Sequence, residues 1–355
     1  MSLCRVQVTD FRCLQSVALE LDSRFTLVSG ANASGKTSLL ESVYVLGRGR
    51  SFRTRRLGQL IRHGSERFVV FGEVEAFGRR VSLGVEGSAA GVRAKLGGAQ
   101  VNSLAELAPL LPVQIIDPEI HRLIEEGPSR RRRFLDWGVF HVEPRFVDDW
   151  QRFRQALKQR NAALKSRQAR AVTGAWDGDL VRYGESLSTA RARYVESLAE
   201  HAVSVTRNLL GMDLSISYRA GWPRGSTLAE ALEQSWNHDQ DSGATQVGPH
   251  RAELAIRLNG MSVKDRISRG QQKLLAAALL MAQVKLFPPD SAVRPSLLLD
   301  DPAAELDNER LTGLIAEISA QSAQLIVTTL HPEFSEFGAP GRHYRMEGGN
   351  IREVA

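Results

Sequence analysis

The chain of 355 residues contains only two cysteines, Cys4 and Cys13. So few exclude a disulfide framework and fit a reducing compartment. They could face each other across a hairpin, but two separate core thiols is the simpler expectation. Long apolar runs are missing as well, since no stretch approaches the length of a membrane span. The N-terminus lacks the apolar core of a secretory signal, because Arg5, Asp10 and Arg12 interrupt it. A cytoplasmic protein with no membrane partner is expected. An acidic balance is missing too: 46 Lys and Arg stand against 40 Asp and Glu, for a net charge of +6. That charge fits plain solubility, and it also permits an anionic polymer whose counterions Lys and Arg displace. What remains is ordinary for a globular protein, with 43% hydrophobic and 24% charged residues. The length predicts two lobes or domains.

The stretch Gly30-Ala31-Asn32-Ala33-Ser34-Gly35-Lys36-Thr37 fits G-x-x-x-x-G-K-[ST]. Its flanks are those the pattern requires: a short apolar strand, Phe25-Thr26-Leu27-Val28, and a helical run from Leu39 to Leu46. A strand, a Gly-bounded loop and a helix N-terminus make an anion site, because free N–H groups and the helix dipole point at phosphate. Lys36 would reach the β- and γ-phosphates of ATP, and the Thr37 hydroxyl would sit on Mg²⁺.

Two strands precede this loop, at residues 3–9 and 17–21, with Cys4, Val6 and Val8 facing inward and Leu3 and Arg5 outward. After the loop helix comes a basic segment holding Arg48, Arg50, Arg53, Arg55 and Arg56. Runs at 67–75 and 80–85 read as a hairpin and 91–101 as an edge, an antiparallel patch that gives the P-loop core a mixed sheet. Val113-Gln114-Ile115-Ile116 reads as a buried strand, after which the composition turns helical. Arg130-Arg131-Arg132-Arg133 cannot share one helix face, so some of them must point toward different partners. A solvated helix start and a phosphate contact are both open readings. Two amphipathic helices follow, at 144–165 and 180–210, joined by a loop. Residues 237–243 read as polar and exposed. Residues 118–245 thus look like an insertion into one fold.

Ser268-Arg269-Gly270-Gln271 opens a long helix and offers a second N-terminal anion site. Leu297-Leu298-Leu299-Asp300-Asp301 is an apolar strand ending in acids. Asp300 would hold Mg²⁺, and Asp301 stands where a general base for the attacking water is wanted. Glu305-Leu306-Asp307 follows. This order of motifs is that of an ABC-type ATPase head, with a longer spacing than a transporter subunit has.

On these residues the chain resembles the RecF family of bacterial recombination mediators, relatives of the SMC-like heads. The resemblance covers nearly the full length. It rests on Asp10-Phe11-Arg12, the P-loop with Leu40-Glu41, Gly49-Arg50-Ser51-Phe52-Arg53, Gly127-Pro128-Ser129 running into the arginines, Gly248-Pro249-His250-Arg251, the Ser268 box and the Asp300-Asp301 strand. It implies an α/β fold: an ABC-type (SMC-like) ATPase head with a mixed sheet over 1–117 and 246–355, plus an inserted mainly helical lobe over 118–245. It further implies a weak DNA-dependent ATPase that takes ATP and Mg²⁺ and forms an ATP-dependent homodimer. Two heads would sandwich two ATP molecules, each P-loop facing the other head's Ser268, Arg269, Gly270 and Gln271. Closure would clamp duplex DNA at gaps, with RecR and RecO as partners, helping RecA displace single-strand-binding protein from single-stranded DNA. Two departures stand out. Ala33 replaces a glycine, so that peptide is expected to take an ordinary φ. Thr329 stands where a switch His is usual, which leaves the γ-phosphate sensor open, with His331 two residues on as a candidate. An ATP-binding transporter subunit and a non-enzymatic DNA-structural protein are the competing readings. The paired acids count against the second, and the helical insertion with its arginine run against the first.

Overall fold

The computed structural model describes residues 2–354 except 77, 264–266, 288–293, 305–307, 332–333 and 335. Two compact units divide the chain: Met1–Ile120 with Phe287–Ala355, and His121–Leu286.

The first unit holds two six-stranded sheets. One is antiparallel, built from β1 (Ser2–Phe11), β2 (Leu14–Glu20), β4 (Arg67–Ala76), β5 (Arg79–Ser88), β6 (Gly91–Leu96) and β7 (Ala99–Val101) in the order β2-β1-β4-β5-β6-β7. The other contains β3 (Phe25–Ser29), β8 (Val113–Ile116), β12 (Ser296–Asp300), β13 (Gln324–Thr329), β14 (Arg342–Glu347) and β15 (Asn350–Glu353) in the order β15-β14-β3-β13-β12-β8. Its strands are parallel to their neighbours except β15, which closes a hairpin on β14. The antiparallel patch is therefore a sheet of its own, and the central sheet is mixed because of that C-terminal hairpin. Fully buried parallel strands such as Leu297-Leu298-Leu299 read as continuous apolar runs, as burial on both faces demands. Helix α1 (Lys36–Arg48) meets strands of both sheets, and nearly every residue from Lys36 to Gly47 is buried. A helix enclosed on all sides needs this near-uniform burial rather than a stripe. Its Leu40, Val43 and Leu46 share one core with Val6, Phe11, Phe68, Val70 and Ile326. Phe11 meets Phe68 edge-on at 5.1 Å.

Gln324, with no solvent exposure, fastens the two sheets. Its carboxamide oxygen accepts from the Leu3 amide at 2.9 Å and the Ser296 hydroxyl at 3.1 Å. Its nitrogen donates to the Leu3 carbonyl at 2.8 Å and the Asp22 carbonyl at 2.9 Å. A buried amide so fully bonded costs little to enclose and fixes the register of what it joins.

Two side-chain placements differ from the sequence reading. A bulge between Leu3 and Arg5 turns Leu3 inward, where it is fully buried, and leaves Cys4 half-buried. Neither cysteine is a core thiol: Cys13 is exposed on the β1–β2 turn, and both are free.

In the second unit α2 (Arg122–Glu125), α3 (Gly127–Val142), α4 (Phe146–Lys165), α5 (Arg170–Gly174) and the 34-residue α6 (Asp177–Leu210) come first. A three-stranded sheet of β9 (Leu214–Arg219), β10 (Glu253–Leu258) and β11 (Met261–Ser262) follows, with α7 (Leu228–Gln234), α8 (Trp236–Ser242) and α9 (Arg269–Lys285). This unit extends beyond residue 245, because α9 packs along α6 and β10 pairs with β9. Residues 237–243 are exposed as read, apart from half-buried Gly243 and from Asp239 of α8, which is fully buried and pairs with Arg160 at 2.7 Å. Arg160, itself without exposure, also reaches Asp177 at 2.7 Å and the Thr245 hydroxyl at 2.9 Å.

Candidate nucleotide-binding site

Residues 30–35 form the loop between β3 and α1, and Lys36 and Thr37 open the helix. Gly30, Ala31, Asn32 and Ala33 lie on the accessible side, while Ser34, Gly35 and Lys36 are buried. Gly35, the N-cap, has φ 112°, and a Cβ there would come within 2.9 Å of Leu14. Glycine is required at that point on both counts. Ala33 has φ 60°, so the expectation of an ordinary backbone is corrected: the loop keeps its left-handed turn although the residue has a Cβ. Strain of this kind persists where the surroundings over-determine the backbone. Here the Ser34 carbonyl accepts from the Gly349 amide at 2.9 Å and the Ser34 amide reaches the Ala31 carbonyl at 3.3 Å.

Lys36 folds its ammonium back over the loop, donating to the carbonyls of Gly30 at 2.6 Å and Ala31 at 2.9 Å. Burial lowers its pKa, and the charges of Asp301 and Asp300 oppose that shift. The Thr37 hydroxyl donates to the Asp300 carboxylate at 2.9 Å. Thr328 Oγ1 donates to the same carboxylate at 2.8 Å. Asp301, one residue beyond β12, is left-handed at φ 47°, and its amide donates to the Thr328 carbonyl at 3.0 Å. Burial raises the Asp301 carboxyl above the usual aspartate range, Lys36 opposes this, and Asp300 adds to it.

The P-loop and both acids, far apart in sequence, are thus brought together. Ser34 Oγ is buried and finds no hydrogen-bond partner among the described residues. A Cβ on Gly30 would lie 2.4 Å from the Met346 carbonyl, so β14 forms the floor of the loop. An orphaned hydroxyl, helix-end amides and a lysine already aimed along the loop fit a phosphate chain. Thr37 and Asp300 together form a hard oxygen pair of the kind that holds Mg²⁺ beside phosphates.

The second unit carries Ser268 as N-cap of α9, with Arg269, Gly270 and Gln271 in its first turn. Ser268 Oγ accepts from the Gln271 amide at 3.2 Å, and Gln271 Oε1 accepts from the Ser268 amide at 3.0 Å, a reciprocal capping box. Ser268 and Arg269 are exposed. Thr329 is buried and accepts from the His331 amide at 3.1 Å, while His331 is exposed. Glu305, Leu306 and Asp307 lie outside the described residues.

The arginine run is occupied by protein. Arg131 forks onto Glu253 with two bonds of 2.8 Å and reaches the Ile124 carbonyl at 2.9 Å. Arg132 donates to the Ala252 carbonyl at 2.7 Å, and Arg130 pairs with Glu126 at 3.1 Å. From α6, Arg191 donates to the Pro249 carbonyl at 2.7 Å. Arginines on α3 and α6 therefore clamp the Gly-Pro-His-Arg turn and the strand that follows it.

Sequence reading places Gln324–Thr329 as a core strand with polar residues at its end able to sense γ-phosphate, but misses the bonds of Gln324 and Thr328 and the β14–β15 hairpin. The hairpin had a signal, Gly348-Gly349 followed by Asn350 between alternating runs. Thr328 had none beyond its place at the end of a core strand.

A P-loop whose threonine bonds the strand-end aspartate, with a second acid beyond it, marks a P-loop nucleotide-hydrolase head. The profile of the RecF/RecN/SMC N terminal domain matches residues 2–347. The DNA replication and repair protein RecF of Pectobacterium atrosepticum is 39% identical over 355 residues, covering 99% of this chain and 98% of that one. RecF of Yersinia pseudotuberculosis is 40% identical over 356 residues, with the same coverage. The chain belongs to the RecF family, and its fold is the ABC-type head shared with SMC proteins. A solved structure of the recombination mediator protein RecF with ATP superposes with a TM-score of 0.90 at 26% identity, over 100% of this chain and 98% of that one. An Smc head bound to the C-winged helix domain of ScpA shares the fold, with a TM-score of 0.60 at 16% identity over 100% and 97% of the two chains.

Proposed function

We propose that this protein is an ATP-dependent DNA-binding protein of recombinational repair and replication, and that its ATP-driven homodimer clamps duplex DNA at gaps. The observation that supports the reading is the bond from Thr37 to Asp300 beside Lys36 and Asp301 in the first unit. Lys36 neutralises the β- and γ-phosphates. Thr37 and Asp300 are the residues that would hold Mg²⁺, which supplies charge neutralisation when bound. Asp301 orients the attacking water and accepts its proton, a task its raised pKa suits. Ser268, Arg269, Gly270 and Gln271 bind the γ-phosphate of the facing head. Slow, DNA-dependent hydrolysis releases the clamp. RecR and RecO are the partners this reading names, and RecA is the recombinase loaded onto single-stranded DNA in the cytoplasm. The family relationship and the RecF-ATP neighbour, described as belonging to the RecFOR pathway, support the reading.

Duplex binding measured with ATP, with ADP and without nucleotide tests it. Tight binding is expected only with ATP, and Lys36→Ala should abolish that dependence by removing the point charge on the phosphates. Equal binding in all three states would refute the ATP-driven clamp. Full ATP affinity in Lys36→Ala would refute the site.

A further inference from the structure

Three sequence motifs left unused by the nucleotide site converge on one carboxylate. Glu41, on α1, has no solvent exposure. Arg12, from the β1–β2 turn, forks onto it with bonds of 2.9 and 2.8 Å. Arg53 reaches it at 3.5 Å, and the Ser51 hydroxyl donates to it. A carboxylate this enclosed is costly unless paired and bonded, and here two guanidiniums and a hydroxyl compensate it.

The same contacts fix the chain that leaves α1. Ser51 Oγ accepts from the amides of Arg53 at 2.9 Å and Thr54 at 3.0 Å. Phe52 stands edge-on to Tyr44 of α1 at 5.3 Å. Farther on, the Arg62 amide donates to the Asp10 carbonyl and the Arg12 amide to the Leu60 carbonyl, both at 2.8 Å. Arg50, Arg53, Arg55 and Arg56 project from this anchored segment and are exposed. The guanidiniums of Arg50, Arg55 and Arg56 have no acidic partner among the described residues. A merely solvated charge run needs no buried anchor. Ordering the segment in advance lowers the cost of binding, and guanidinium forks match phosphate geometry.

We propose that the arginine segment 50–56 is a contact surface for the phosphate backbone of duplex DNA, and that Glu41 is the positioning residue that fixes it to the nucleotide-binding helix. The proposal rests on the DNA-binding reading above. It anchors a polyanion contact to the same helix that carries Lys36 and Thr37.

The test is anisotropy of a fluorescein-labelled duplex with ATP over a salt series, beside titration with a fluorescent ATP analogue. The double variant Arg55→Ala with Arg56→Ala should bind ATP as the unaltered protein does. Its duplex affinity should fall about tenfold, and its salt slope by about 2, at roughly 0.9 per lost phosphate contact. Unchanged affinity, or a loss with no change in slope, would overturn the phosphate contact. No duplex binding by the unaltered protein would instead overturn the broader reading. Glu41→Gln should raise amide exchange across residues 51–56 and weaken duplex binding while ATP affinity holds. Should that variant fold poorly, Ser51→Ala loosens the same segment more gently. Unaltered exchange and affinity in the variant measured would remove Glu41 from the proposal.

Discussion

Two residues of the candidate nucleotide site hold strained backbones. Ala33 sits at φ 60°, where a Cβ is disfavoured by about 1 kcal/mol. Ala33→Gly should therefore raise the unfolding free energy by roughly 1 kcal/mol in urea melts and leave ATP affinity intact. A loss of stability would mean that the alanine is held by packing rather than tolerated. Asp301, at φ 47°, is the other, and it carries the carboxylate proposed as the base. Burial holds its carboxyl above the aspartate range. A base must first lose its proton, so hydrolysis should fall on acidification sooner than an ordinary aspartate would dictate. Asp301→Asn should keep ATP binding, slow hydrolysis and remove that acid limb; hydrolysis at the unmutated rate would pass the role elsewhere. For stability the sign reverses. A raised carboxyl favours the folded state below its unfolded pKa, and that contribution is lost as pH rises through the folded value. The same variant should thus melt no lower than the unaltered protein at neutral pH. The P-loop was legible because its residues are contiguous and their spacing is the mechanism. The left-handed turn at Ala33 was not, because it is imposed by contacts with residues more than three hundred positions later.

Among the elements, α3 shows what a charge run alone conceals. Some of four adjacent arginines had to face different partners, and Arg130, Arg131 and Arg132 do. Which partners could not be read, because Glu253 and Ala252 lie some 120 positions away. With the clamp in view, Arg131→Met should cost roughly 2 kcal/mol of stability, since a half-buried bidentate pair and a carbonyl bond are lost together. The salt slope of DNA binding should stay as it was. A lowered slope would return this arginine to the phosphate-contact reading. The burial of Asp239 on the mostly exposed α8 was illegible for a related reason. Asp239 reads as solvent-facing until Arg160 is known to be enclosed beside it. The two long helices, by contrast, announce themselves through the spacing of Phe153, Leu164, Leu187, Tyr194 and Leu198, all buried.

For the whole molecule the decisive question is assembly. Ser268 caps its own helix, yet its face is exposed, and in the proposed sandwich the triphosphate of its own chain goes to Lys36. Ser268→Arg should leave the monomer folded and able to bind ATP, while dimerisation, hydrolysis and clamping on DNA fail together. Sedimentation with ATP decides this: a dimer as abundant as that of the unaltered protein would remove the box from the facing site. The fold class was readable because motif order survives a long insertion, whereas the closure of the head by Gln324 leaves no local trace. That closure sets an order of events during synthesis. β1 emerges first, but its backbone partner at Gln324 is made after the whole of His121–Leu286. At about 5–20 residues per second, the first sheet waits on the order of ten seconds or more for the residue that fastens it to the second. The continuous helical unit can fold in that interval, and the nucleotide site is assembled last.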